Sequence, residues 1–220
     1  MKIFIPIKKE SERVPNKNFR DFGGVPLYMH TLNKFKDYEV FVNTDCAFLK
    51  VPDNVTFIER KEELCGHDVS VNLLIKDFLL DYVEDEDEII FQTHVTSPFL
   101  STKTIDYLTK FYKKNSRYIN IDSYFSVNDL TQRMWGMNKT NCLLPLNHDP
   151  RKLLPTQKLD TVYLENSAFY MFTKKSFLKR DNRIGLNASI YSVKFPEYLD
   201  IDTEDDFKLC LAMQKGMLNE

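Results

Sequence analysis

Six glycines and nine prolines in 220 residues are too few for a fibrous or low-complexity chain. No apolar run approaches the ~20 residues of a membrane-spanning helix. The apolar stretch 3–7 ends in charge at Lys8, too short for a secretory leader and suited to a first strand. An excess of positive charge is also missing. Thirty Lys and Arg face 32 Asp and Glu, for a net charge of -2, so no basic field would draw nucleic acid or an anionic membrane. The cysteines Cys46, Cys65, Cys142 and Cys210 are scattered without a C-x-x-C pair, as expected of reduced thiols in a cytoplasmic protein. His30, His67, His94 and His148 lack metal-ligand spacing, which argues against a zinc site. The chain contains no G-x-G-x-x-G, no Walker A loop and no G-x-S-x-G elbow, which argues against dinucleotide-binding, P-loop and serine-hydrolase chemistry.

What the chain does have is alternation. Strand-like runs at 2–6, 38–42, 55–58, 89–91, 119–127 and 191–195 are interleaved with helical patterns. Ser70 precedes a helix with the face Leu74, Ile75, Phe78 and Leu79, Ser101 one with Ile105, Leu108, Phe111 and Tyr112, and Thr203 a last one. This predicts an α/β protein, with a mostly parallel sheet and helices on both faces. In such sheets ligands bind beyond the carboxyl ends of the strands, where strand order switches. Segment 128–163 fits the alternation worst. It holds the single tryptophan, Trp135, and three of the nine prolines, and reads as a flap, a small subdomain or a dimerisation arm.

Two strand-following segments carry chemistry. After the first strand, Lys8, Lys9, Arg13 and Lys17 place four cations within ten residues, with the Ser11 hydroxyl among them. This is either a solvated loop or a cradle for phosphates, which need cationic and N–H donors. Near the C-terminus, Asp200-Ile201-Asp202 puts two carboxylates on one face of an extended chain. Such a pair either helps cap the last helix or holds a nucleotide-bound Mg²⁺, which takes one or two carboxylates besides phosphate oxygens and waters. Asp205 and Asp206 fall in the first turn of that helix, where they complement its dipole.

The order of these segments resembles the acylneuraminate cytidylyltransferases, the synthetases that activate sialic, pseudaminic, legionaminic and ketodeoxyoctulosonic acids. The resemblance rests on Ile5-Pro6, Ser11, Arg13, Pro15, Lys17 and Asn18, on Gly24 to Leu27, and on Asn43-Thr44-Asp45. It continues through Arg60, Glu63, Leu64, Asp68 and Ser70, then Thr96-Ser97-Pro98 and Asp122 to Val127. Glu165 to Tyr170, Arg183-Ile184-Gly185 and Asp200 to Glu204 complete it.

The resemblance implies a Rossmann-like, three-layer nucleotide-diphospho-sugar transferase fold, spanning 1–220 as one domain. It implies transfer of CMP from CTP to the anomeric hydroxyl of an α-keto sugar acid, with Mg²⁺ on Asp200 and Asp202. Lys8, Arg13 and Lys17 would hold the phosphates, and Ser11, Asn18, Asn43, Thr44 and Asp45 the nucleoside. His94, Thr96, Ser97, Arg151 and Asn166 would face the acceptor, with Arg133 competing with Arg151 for its carboxylate. A homodimer is implied too, with 128–163 as its contact. Three departures stand out: Lys8-Lys9-Glu10 in place of the family's Arg-Gly-Gly, Ser167 in place of a glycine, and His94 in place of a glutamine. The alternatives are the same fold acting on another sugar or nucleotide, and a non-catalytic relative that only binds.

Overall fold

The computed structural model describes residues 1–66, 68–115 and 120–218. His67 and Ile119, both used in the sequence reading, lie outside them. In chain order the elements are β1 (Lys2–Ile7), α1 (Leu27–Asn33), β2 (Glu39–Thr44), β3 (Val55–Glu59), α2 (Val71–Tyr82), β4 (Ile89–Thr93) and α3 (Thr102–Asn115). Then come β5 (Ser123–Leu130), β6 (Trp135–Met137), β7 (Leu143–Pro145), β8 (Val162–Thr173), α4 (Lys174–Leu178), β9 (Ala188–Ser192) and α5 (Glu204–Leu218). Seven strands form one sheet in the order β3-β2-β1-β4-β8-β5-β9, and β6 and β7 form a separate two-stranded sheet. Strand β8 runs antiparallel to both neighbours, while the other pairings in the large sheet are parallel.

The period-two alternation of β1 builds the layers. Ile3, Ile5 and Ile7 point to one face, where they meet Tyr28 and Leu32 of α1 and Ile105 and Leu108 of α3. Phe4 points to the other, against the Leu74, Ile75, Phe78 and Leu79 face of α2. Both faces of β1 are therefore buried, as expected of a parallel strand covered on each side. The result is a Rossmann-like α/β sandwich. Ser70 Oγ accepts from Asn72 N at the start of α2, and Thr203 Oγ1 from Asp206 N at the start of α5. The Asp206 carboxylate accepts in return from Thr203 N (2.7 Å), a reciprocal cap that gives this acid a structural role.

Strand order switches between β1 and β4. From β1 the chain moves through β2 to β3 on one side, then crosses to β4 on the other. The loops that follow β1 and β4 therefore diverge at one end of the sheet and leave a crevice there.

Several boundaries differ from the sequence reading. The last strand is Ala188–Ser192 rather than 191–195, and a cis Phe195-Pro196 bond follows it. Asp200 and Asp202 therefore lie in a connector, not at a strand tip. The alternation that groups them survives, because Ile201 between them is buried against Phe22, Leu27 and Phe207. Asn43 and Thr44 belong to β2 itself. The segment 128–163 begins as the end of β5, carries the β6–β7 hairpin and runs into β8.

Strand β8, the longest, is absent from the sequence reading. Ser167 interrupts it at φ 56, a left-handed backbone that a glycine adopts freely, and its pairing with β5 shifts register between Phe125 and Val127. Residues before the break are largely exposed and those from Ala168 onward buried, so no single period runs through the strand.

Candidate active site

A cleft of about 460 Å³ opens at the switch point, walled by the first loop, the turn after β4 and the Asp200–Asp202 connector. The first loop is anchored at both ends. Asn18 Nδ2 donates to the Lys8 carbonyl (2.9 Å), closing the loop on itself, and Lys9 N donates to Asp45 Oδ1 (2.6 Å). Lys8 Nζ reaches the Gly66 carbonyl (3.1 Å). On the far side, Arg13 Nη2 donates to Asp202 Oδ1 (2.6 Å), and Lys17 Nζ to the Ile201 carbonyl (2.5 Å), with Asp202 Oδ1 3.7 Å away. Arg20 grips both oxygens of Glu204 (2.6 and 2.9 Å) and stacks on Phe207. A loop without glycine is thus held in place by side chains.

Thr96 joins the second wall to the third, since its carbonyl accepts from Ile201 N (2.9 Å). Burial lowers the Lys17 ammonium below the ordinary lysine value, against the pull of the Asp200 and Asp202 carboxylates. Burial raises the Asp200 carboxyl above the ordinary range, opposed by the Thr96 hydroxyl and by Lys17. His94 is pushed down to about 3, first by burial and then by the cations Arg183 and Lys17, so its ring is neutral.

Among the described residues, four buried side-chain atoms have no hydrogen-bond partner: Asn18 Oδ1, Asn43 Nδ2, Ser97 Oγ and Asp200 Oδ1. Buried polar atoms are nearly always satisfied, so each such atom needs an explanation. All four belong to residues that the sequence reading placed in the site. A buried carboxylate oxygen without a partner, with a second carboxylate two residues on and facing the same cleft, is a donor set that fits a hard divalent cation.

The structure brings Lys8, Ser11, Arg13, Lys17, Asn18, His94, Thr96, Asp200 and Asp202 to the cleft wall. Asn43 and Thr44 are buried behind it: Asn43 Oδ1 accepts from Arg60 Nε (2.7 Å), and Thr44 Oγ1 from Cys46 N (3.1 Å). Asp45 borders the neighbouring groove that Arg60 and Cys65 also line. Asn166 turns to Asn128 (3.4 Å) and to Ala168 N (3.2 Å), and its neighbour Ser167 lines the cleft instead. Arg151 stands apart, exposed and paired with Asp149 (3.1 Å), and Arg133 donates to the Leu154 carbonyl (2.6 Å).

Arg60, Gln92 and Arg183 received no role from the sequence. Arg60 lines the cleft and ties the ends of two strands together, through the Ile7 and Asn43 carbonyls (both 3.0 Å). The signal for Arg60 was a cation at the end of a strand, one of the pair Arg60-Lys61. For Gln92 it was a polar residue inside one.

The family model of the cytidylyltransferases matches residues 3–218. The chain is 24% identical over 212 residues to an N-acylneuraminate cytidylyltransferase of Streptococcus agalactiae, across 92% of this chain and 50% of that protein. It thus spans about half the length of that relative. It is 23% identical over 224 residues to a pseudaminic acid cytidylyltransferase of Campylobacter jejuni, across 96% of this chain and 94% of that one. In fold it is similar to a CMP:2-keto-3-deoxy-manno-octonic acid synthetase solved with CTP, at a TM-score of 0.62 and 14% identity over 98% of both chains. With a family model that runs almost end to end, this chain belongs to the cytidylyltransferase family.

Proposed function

We propose that the protein transfers CMP from CTP to the anomeric hydroxyl of a sialic-acid-like α-keto sugar acid and releases pyrophosphate. The observation that carries this reading is the wall where Arg13 and Lys17 converge on Asp202 beside the unpartnered oxygen of Asp200. Phosphoryl transfer asks little covalent work of a protein, so positioning and charge neutralisation dominate. Lys8, Arg13 and Lys17 bind the phosphates. Asn18 keeps a free polar atom for the nucleoside, with Ser11 on the same wall, while Asn43 and Thr44 support that wall from behind and Asp45 holds the loop through Lys9 N. His94 and Thr96 face the acceptor from the cleft wall, and the Ser97 hydroxyl is buried next to them. Asp200 and Asp202 would hold a Mg²⁺ ion, which supplies charge neutralisation at the reacting phosphorus and acidifies the attacking hydroxyl.

The same reading makes the protein a homodimer. Its β6–β7 hairpin exposes Trp135, Met137, Leu143 and Leu144, with Leu146 beside them, an apolar surface of the kind that protein contacts cover.

Thermal shift with CTP, UTP, GTP and ATP, each with Mg²⁺ or EDTA, tests the nucleotide. At about 100 times its Kd a ligand adds roughly 2.7 kcal/mol, or several degrees for a chain of this size. A Mg²⁺-dependent shift for CTP, followed by pyrophosphate release with N-acetylneuraminate or pseudaminate, is the expected result. A shift for another nucleotide and none for CTP would overturn the reading.

A further inference from the structure

Behind the cleft wall lies a chain of polar groups that the proposed function leaves unused. The Arg183 guanidinium stacks on the Tyr170 ring (3.5 Å), and its Nη1 donates to Gln92 Oε1 (2.8 Å). Tyr170 is held in turn by the Glu165 carboxylate and the Ser167 hydroxyl. Gln92 is fully buried in β4, and its Nε2 lies 3.2 Å from the Thr93 carbonyl and 2.9 Å from His94 Nε2.

The polarity of this chain is determined. A guanidinium only donates, so the oxygen end of the Gln92 amide must face Arg183. The NH₂ end then faces Thr93 and His94, with one hydrogen for each. His94 Nε2 therefore accepts. In a neutral imidazole the proton must then sit on Nδ1. The charged groups acting on the ring, Arg183 and Lys17, are both cations and oppose a second proton. Among the described residues Nδ1 has no partner, and His94 lines the cleft.

We propose that His94 offers a fixed Nδ1–H donor to an oxygen of the acceptor sugar acid, and that Gln92 and Arg183 are positioning residues that set its tautomer. The inference rests on the proposed function for the identity of the acceptor. It also removes His94 as a general base, because one ring nitrogen holds the proton and the other is occupied. A glutamine amide at this place could rotate to donate or accept. The locked histidine only donates, which narrows the substrate to one with an acceptor oxygen there.

The test joins a spectrum to kinetics. Long-range ¹H–¹⁵N correlations of the whole protein at pH 7.5 should show His94 as the neutral Nδ1–H tautomer. Gln92→Glu puts a carboxylate at Nε2, which should move the proton there. The KM for the sugar acid should then rise about tenfold, the scale of one lost hydrogen bond, while the Kd for CTP stays within about twofold. His94→Asn, which keeps an N–H donor near the place of Nδ1, should hold the KM within about threefold of wild type, and His94→Ala should not. This pair keeps the test open should Gln92→Glu fail to fold. An Nε2–H or doubly protonated His94 in the wild type overturns the proposal. So does a tautomer switch without a change in acceptor KM, or an equal loss in the asparagine and alanine variants. If the wild type turns over neither N-acetylneuraminate nor pseudaminate, the functional reading fails separately, and the spectrum still decides the tautomer.

Discussion

Replacing Asp200 by Asn should make the protein more stable and leave it inactive. The wild-type carboxylate keeps Oδ1 buried without a partner, and burial raises its pKa, so the folded state carries a charge in an unfavourable place. An unpaired buried polar group costs about 1–3 kcal/mol. The amide still has polar atoms to satisfy but no charge, so the low end, about 1 kcal/mol, is the expected relief. In a chain of this size that raises Tm by about 2–4 °C. Asp202→Asn should behave differently. That carboxylate is already matched by Arg13 and Lys17, so its removal strands two cations and lowers Tm or leaves it unchanged. Calorimetry in EDTA at pH 7.5 reads the stability, and pyrophosphate release reads turnover, which should be lost in both variants. A lower Tm for Asp200→Asn would show that the carboxylate is satisfied in the folded protein. Turnover within a few-fold of wild type in either variant would refute the metal assignment.

Lys17→Met removes the cation that bonds the Ile201 carbonyl and approaches Asp202, so kcat/KM for CTP should fall about a hundredfold; a change under about threefold would detach Lys17 from the phosphates. Lys34, bonded to the Pro98 and Leu100 carbonyls, has a pKa pushed down to about 7 by burial, against an unfolded value of about 10.4. Between these values the unfolded chain binds a proton that the folded chain does not, so stability rises with pH there, and the penalty is complete below about 7. The Tm of wild type minus that of Lys34→Met should therefore grow from pH 7 to pH 10, and a flat difference would place the lysine in a solvated setting. The double variant Trp135→Lys, Leu144→Lys should sediment as a monomer against a dimeric wild type. A monomeric wild type would discard the hairpin as a contact.

The layers were legible because burial leaves a periodic imprint. The isoleucines of β1 and the apolar face of α2 each face one environment along their whole length. Strand β8 was not legible because it crosses two environments, half of it exposed beside β5 and half buried between β4 and β5, with Ser167 turning the backbone between them. The Asp200 and Asp202 pair was found for a reason that partly failed. No strand holds it, yet a buried Ile201 imposes the same alternation. The relay through Gln92 could not be read at all, since it joins residues 91 positions apart and depends on which end of an amide faces a guanidinium.

Charge counting along the cleft yields one more prediction. Among the described residues of its wall, the cations Lys8, Arg13, Lys17 and Arg60 meet the carboxylates Glu10, Glu12, Asp200 and Asp202. The wall is neutral overall, so it offers a triphosphate no long-range attraction, and affinity must come from cations placed at contact distance. Glu10 is exposed on the loop that carries three of them, where its charge opposes the ligand. Glu10→Gln should therefore tighten CTP about two- to fivefold at low salt, the scale of one solvent-exposed charge pair. Half-molar salt, which shortens the screening length to a few ångströms, should erase most of that gain. Isothermal titration at two salt concentrations measures both quantities. Unchanged or weaker binding at low salt would mean that the phosphates do not pass this loop, and the assignment of Lys8, Arg13 and Lys17 to them would fall with it.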